Sequence, residues 1–154
     1  MEWVRKYIGL PYKELGRDDT GVDCYGLCCV VYNRELGLDL PDFVGFGFKK
    51  CPTEEESAKN KAEVARIIKQ ESNNDWIEVD KDNVQPFDLV LFRICGYVMH
   101  IGIMLNKDTM LHSFNGMDCV QEKLGYKWSA RVYKFVRHRS RISNAPSPTD
   151  KESL

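Results

Sequence analysis

The sequence predicts an α+β fold, and three observations carry that prediction. After Asp23, apolar residues recur at helical spacing, with Cys24, Leu27, Cys28 and Val31 at i, i+3, i+4 and i+7. A second helix is announced by Thr53 with Glu56 three residues on, the pair of a capping box. From Trp76 onward the pattern changes to short apolar runs and alternation, and Asn106-Lys107-Asp108 reads as a hairpin turn. Helices come first and mostly antiparallel strands follow.

A chain of 154 residues suits one domain that buries a core without disulfide staples. The domain is read as residues 1–137. The Ser-, Pro- and charge-rich run over 138–154 is read as a disordered tail. Hydrophobic content of 43% is that of a globular protein. With 22 basic against 23 acidic side chains the net charge is −1, so neither nucleic acid nor a membrane is an expected partner. The start, Met1-Glu2-Trp3-Val4-Arg5-Lys6, lacks the apolar stretch of a signal peptide, and synthesis in the cytosol with reduced thiols is expected. Six cysteines, at 24, 28, 29, 51, 95 and 119, offer no CxxC pair at zinc-site spacing, and no metal or organic cofactor is expected.

Taken in order, residues 2–8 predict a short amphipathic helix with Trp3, Val4, Tyr7 and Ile8 on its apolar side. Gly9-Leu10-Pro11 stops it, and a polar loop from Tyr12 to Gly21 leads to Asp23. Asp23 is a preferred N-cap residue, so Cys24 stands in the first helical turn. Free backbone N–H groups and the helix dipole are expected to stabilise a thiolate there. Gly26 takes little space and lets another segment approach that turn. The helix is expected to end near Leu36, with Gly37 as the left-handed residue after it. Between 38 and 52, Gly45-Phe46-Gly47-Phe48 reads as an irregular loop pinned to the core by its aromatics. The helix opened at Thr53 runs to about Glu71, with Ala58, Ala62, Ala65 and Ile68 as a narrow apolar stripe and no visible chemistry. Ser72-Asn73-Asn74-Asp75 breaks it. Strands are predicted over 76–79, 89–94, 98–105, 109–114 and 131–136.

A thiol at a helix start needs a base, and the chain has three histidines. His138 lies in a basic run and is read as solvated. In the strand over 98–105, alternation puts His100, Gly102 and Met104 on one face and Met99, Ile101, Ile103 and Leu105 on the other. Met110, His112 and Phe114 share a face of the next strand. A three-residue loop at 106–108 pairs positions whose numbers sum to 214, which sets Gly102 opposite His112 and His100 diagonal to it. His100 then reads as the base and His112 as the group that orients it. The plainer alternative, that each histidine is only a satisfied strand residue, stays open on spacing alone.

In order along the chain, Asp23-Cys24-Tyr25-Gly26-Leu27, Phe87-Asp88-Leu89-Val90-Leu91-Phe92, His100-Ile101-Gly102-Ile103 and Leu111-His112-Ser113 resemble the motifs of the NlpC family of papain-like cell-wall cysteine peptidases. Ile8-Gly9-Leu10-Pro11-Tyr12 is similar to the G-x-P-Y segment of that family, and the resemblance covers residues from about 2 to 136. It implies an antiparallel sheet packed against the cysteine-bearing helix. It further implies Cys24 as nucleophile, His100 as base, His112 as the third polar residue and Tyr12 as a hydroxyl near the oxyanion. Asp23 and Tyr25, flanking the nucleophile, are candidates for lining the substrate cleft.

Three places depart from the common pattern: Tyr25 stands in a Ser place, Pro86-Phe87-Asp88 replaces Pro-Gly-Asp, and the Gly-Gly common after the Pro-Tyr segment is reduced to Gly16. The Tyr form, followed by Glu35-Leu36-Gly37-Leu38-Asp39-Leu40-Pro41-Asp42-Phe43, resembles the branch encoded in phage and prophage tail clusters. The expected substrate is therefore the peptide stem of peptidoglycan, cut between D-glutamate and the diamino acid. Phage tail proteins are expected partners, with action on the cell wall from within a tail. Three alternatives stay open: a catalytically silent tail-assembly protein, a papain-like acyl or peptidyl transferase, and metal or redox binding by the cysteine cluster.

Overall fold

The computed structural model describes residues 1–41, 53–71, 74–114 and 116–142. The aromatic–glycine stretch at 45–48, the helix break at 72–73 and the tail beyond 142 lie outside the described residues. The chain opens with a 3-10 helix at Glu2–Lys6. A small ribbon follows, β1 (Arg17–Asp18) with β2 (Gly21–Val22), and then helix α1 (Cys24–Val31), which runs into a π-turn at Tyr32–Leu36. Helix α2 (Glu54–Glu71) precedes strands β3 (Trp76–Val79), β4 (Leu89–Ile94), β5 (Tyr97–Met104), β6 (Thr109–His112) and β7 (Val120–Lys123). A short helix α3 (Gly125–Ser129) and strand β8 (Val132–His138) complete it. The six long-chain strands form one antiparallel sheet in the order β3-β8-β4-β5-β6-β7, so the α+β expectation holds.

Each face of the sheet has its own core. On one, Ile101, Ile103, Leu105, Leu89, Leu91 and Leu111 pack with Leu27, Cys28 and Val31 of α1 and with Val64 and Ile68 of α2. On the other, Val90, Phe92, Met104, Met110 and Phe135 pack with Trp128 of α3. Alternation along the strands produces this division. Pairing of Ile103 with Leu111 and Met104 with Met110 gives the sum of 214 predicted for the hairpin.

Several local expectations need correction. The N-terminal turn is 3-10, not α, and with three residues per turn Val4 and Tyr7 eclipse each other as the buried pair. Ile8 then falls off that face and is exposed. Helix α1 buries almost its whole circumference, Tyr25, Gly26 and Val30 included, because the sheet covers one side and the β1–β2 ribbon the other. That ribbon lies inside what reads from sequence as a polar loop. On α2 the buried residues are Val64, Ala65 and Ile68, while Ala58 and Ala62 are exposed. Small alanines mimic an apolar stripe in sequence, but the bulkier Val64 and Ile68 set which face turns inward. Thr53 does cap α2, its Oγ1 accepting the Glu56 N–H at 3.1 Å. Gly37 ends the helical segment in the left-handed region, φ 66°.

Beyond residue 137 the chain continues in order: β8 includes His138, and a 3-10 turn follows at Arg139–Arg141. His138 is not merely solvated, since its ring sits edge-on to Trp76 at 4.9 Å. Arg137 forks onto fully buried Asp88, with Nε to Oδ1 and Nη2 to Oδ2 both 2.8 Å. In the turn just before, Phe87 adopts φ 75°. A glycine would do so freely, whereas Phe87 is held there by stacking on Trp3 at 4.5 Å and by the Arg141 guanidinium over its ring.

Gly26 is required by close approach. A Cβ there would lie 1.9 Å from the Gly16 carbonyl oxygen, in the segment leading into the ribbon. Gly26→Ala is expected to push ribbon and helix apart and to destabilise the fold by about 2–3 kcal/mol, as overpacking of a tight site does. Urea denaturation of the two proteins checks this; equal midpoints would show that the ribbon is not held against α1.

Candidate active site

Asp23 caps α1. Its Oδ1 accepts the Gly26 N–H at 2.7 Å and the Arg17 guanidinium at 2.7 Å, with 1% of the residue exposed. Burial raises its carboxyl above the usual range against the pull of Arg17. Asp23 thus ties the ribbon to the helix start. Tyr25 is buried beside it, its hydroxyl donating to the Pro41 carbonyl and its ring under Arg17 at 5.5 Å. Neither residue lines the pocket described next. Their expected place in the cleft is corrected to one behind it, where the Asp23 carboxylate serves the joint between ribbon and helix and the Tyr25 hydroxyl holds the segment at Pro41.

Cys24, in the first turn of α1, opens on a pocket of about 250 Å³ lined also by Tyr12, Ser57, Asn60, Lys61, Ile94, Met99, His100, Ser113 and Phe114. The segment before the ribbon carries Tyr12 there. Gly9 donates to the Cys119 carbonyl, Cys119 donates to that of Leu10, and the Tyr12 N–H reaches Asp118. The Tyr12 hydroxyl is pushed up to about 12 by burial, then by Cys24 and Asp23, and so remains a donor at neutral pH.

His100 comes from β5, on the sheet face opposite the one α1 covers. The recorded β5–β6 pairing stops at Ile103 and Leu111. His112 reaches across to His100, Nδ1 to Nε2, at 2.9 Å. The diagonal contact expected from the register is therefore made. Gly102 does face His112, whose Cβ would lie 3.6 Å from a Cβ there, and Met110 Sδ at 3.0 Å and Val90 Cγ1 at 3.1 Å close in on the same space. The second nitrogen of His112, Nε2, lies 2.7 Å from Glu122 Oε1. An aromatic cage holds both rings. Phe92, Phe114 and Trp128 lie with ring centroids 4.6–5.5 Å from His100, and Trp128 stands edge-on to His112 at 5.1 Å.

The electrostatics of this site differ from the expectation of a stabilised thiolate. Burial pushes the Cys24 thiol up to about 12, and the Asp23 charge adds to it, while the Ile101 and Tyr25 backbone N–H groups pull the other way. A helix dipole is worth ~1 kcal/mol, under one pKa unit, and burial outweighs it. His100 is held well below its usual value by burial and then by His112. His112 is lowered by burial against the pull of Glu122. Burial thus disfavours charge on both the thiol and the imidazole, and His100 Nδ1 is buried with no hydrogen-bond partner among the described residues. That nitrogen is free to take a proton.

Four features escaped the sequence reading. Glu122 sits on β7, a polar edge strand without alternation, and only the pairing of Met110 with Glu122 brings it beside His112. Ser57, Asn60 and Lys61 lie on a helix that carried no visible chemistry. Their i, i+3, i+4 spacing, in phase with Val64 and Ile68, is the signal that could have found them.

Residues 9–137 match the profile of the NlpC/P60 family. The murein DD-endopeptidase MepS/murein LD-carboxypeptidase of Escherichia coli (strain K12) is 20% identical over 137 residues. That alignment takes in 89% of this chain and 60% of the relative, so the chain spans about three fifths of the curated relative's length. Among solved structures, the NlpC/p60 domain of the peptidoglycan hydrolase SagA is 24% identical with a TM-score of 0.58, covering 88% of this chain and 93% of that one. An NlpC/P60 family protein from Bacillus cereus ATCC 10987 is 20% identical with a TM-score of 0.62, covering 89% and 38%. The papain-like fold implied by the motifs is the one these structures share.

Two outcomes follow from the protonation states. The unfolded chain gains histidine protons as pH falls through about 6.5, whereas folded His100 and His112 resist them. Stability contributed by the neutral rings is therefore complete above that pH and lost on acidification. The urea midpoint should drop between pH 7.5 and 5.5 by more in wild type than in His100→Asn; equal drops would remove His100 as the source. Alkylation of Cys24 by iodoacetamide at pH 7, read by peptide mass spectrometry, should slow at least tenfold in His100→Ala. It should recover only as pH rises toward the thiol's own value of about 12. An unchanged rate would mean that His100 does not receive the thiol proton.

Proposed function

We propose that this chain, which belongs to the NlpC/P60 family, is a cysteine peptidase hydrolysing amide bonds in the peptide stem of bacterial cell wall. The observation that carries the reading is one pocket shared by Cys24, Tyr12 and His100, with His100 hydrogen-bonded at its far side to His112.

The chemistry runs as follows. A substrate carbonyl enters beside Cys24; the sulfur forms the new C–S bond as its proton passes to His100 Nδ1. Negative charge on the carbonyl oxygen is met by the Tyr12 hydroxyl and the first-turn N–H of Cys24, a cradle of the kind worth ~3–4 kcal/mol per donor. Collapse breaks the C–N bond, and His100 returns the proton to the leaving amine. Water then enters, gives a proton to His100 and cleaves the thioester, releasing a carboxylic acid and the free thiol.

The finer assignment is to the bond between D-glutamate and the diamino acid. Stem peptides carry free carboxylates, and Lys61, with Ser57 and Asn60 beside it on one face of α2, supplies a cation and polar groups to the pocket wall. The E. coli relative is named for other murein bonds, so selectivity here rests on this wall and on the motif resemblance. Deployment from a phage tail is part of the same reading, supported by Tyr25 and the 35–43 segment.

Purified sacculi incubated with the protein should release new amino groups with wild type and not with Cys24→Ala. Equal background release would favour a structural role. On a soluble stem peptide, Lys61→Glu should raise KM about tenfold with kcat little changed, and amidation of the substrate carboxylate should erase that difference. A loss confined to kcat would move Lys61 out of substrate binding.

A further inference from the structure

The histidine pair has a directional ambiguity that the pair alone does not resolve. Two neutral imidazoles joined through Nε2 of one and Nδ1 of the other can be protonated in either sense with the same single hydrogen bond between them. In one sense His100 carries its proton on Nε2 and leaves Nδ1 bare. In the other, His112 donates from Nδ1, and His100 must hold its proton on Nδ1, where it can accept nothing.

The residue on the far side of His112 breaks the tie. Glu122 Oε1 lies 2.7 Å from His112 Nε2, and a carboxylate only accepts. His112 therefore carries its proton on Nε2 and offers a lone pair at Nδ1. The 2.9 Å contact must then be donated by His100 Nε2–H. His100 Nδ1, buried and without a partner, is left as the bare nitrogen. The cage of Phe92, Phe114 and Trp128 keeps the rings from turning over to evade this order. Glu122 itself is 44% exposed at its side chain, on the open edge strand, so water meets one side of the carboxylate while His112 meets the other.

We propose that Glu122 is a positioning residue: its carboxylate sets the tautomers of His112 and, through it, of His100, making Nδ1 of His100 the proton acceptor. The inference builds on the reading of Cys24 and His100 as nucleophile and base, and it adds a fourth member to that set, two hydrogen bonds from His100. Such outer partners of an aligned histidine are worth about ten- to a hundredfold where measured at metal sites, and the exposed position of Glu122 puts it at the low end.

Ring-15N NMR of the full chain with labelled histidine, at pH 7.5, reads the tautomers directly. Both His100 and His112 should carry their proton on Nε2 in wild type, with His138 as the unlinked reference. In Glu122→Leu the His112 signal should lose its pure Nε2–H character, and iodoacetamide alkylation of Cys24 should slow about tenfold. Glu122→Gln keeps a carbonyl oxygen that can accept the same bond, and should return both readouts to within about twofold of wild type. An Nδ1–H signal for His112 in wild type overturns the proposal, as does a Glu122→Leu protein with unchanged tautomers and alkylation. Neither readout involves substrate, so failure to release amino groups from sacculi would count against the peptidase reading and leave this one standing.

Discussion

A sheet has two faces, and this site needs groups from both. Helix α1 buries one side in the cluster that holds Ile101 and Ile103, while alternation sends His100 to the opposite side of the same strand. Thiol and imidazole meet where β5 is irregular: its pairing with β4 shifts register between Phe92 and Arg93, beside His100, and Cys24, Tyr12 and His100 line one pocket there. His112 bridges to His100 from the next strand.

Enclosing this site with apolar and aromatic side chains has an electrostatic consequence: burial disfavours charge on both sulfur and imidazole. Preorganised donors in a dry site are worth more than the same donors in water, because nothing need reorient as charge develops. The helix dipole, attractive from sequence as the source of a reactive thiolate, is a small term in this balance.

Much of this was legible in the residues. The N-cap at Asp23, the phase of the strands and the register of the hairpin depend on local chemistry and on a period of two, and they set Cys24 in the first turn of α1 and His100 within reach of His112. What sequence did not reveal depends on contacts between distant segments. Asp23 and Tyr25 read as cleft residues because they flank the nucleophile, yet the ribbon that buries them is formed by strands of two residues, too short to announce themselves. Glu122 is invisible until β7 is known to exist, and α2 shows its polar face only once its buried face is assigned.

The turn at Phe87 has a consequence for how the domain is closed. Trp3, in the first described helical turn, and Arg141, in the last, meet on the same ring. The first and last described elements are thus clasped at one residue, so loosening either is felt at the turn that feeds β4, the strand whose far end, Ile94, forms part of the pocket wall.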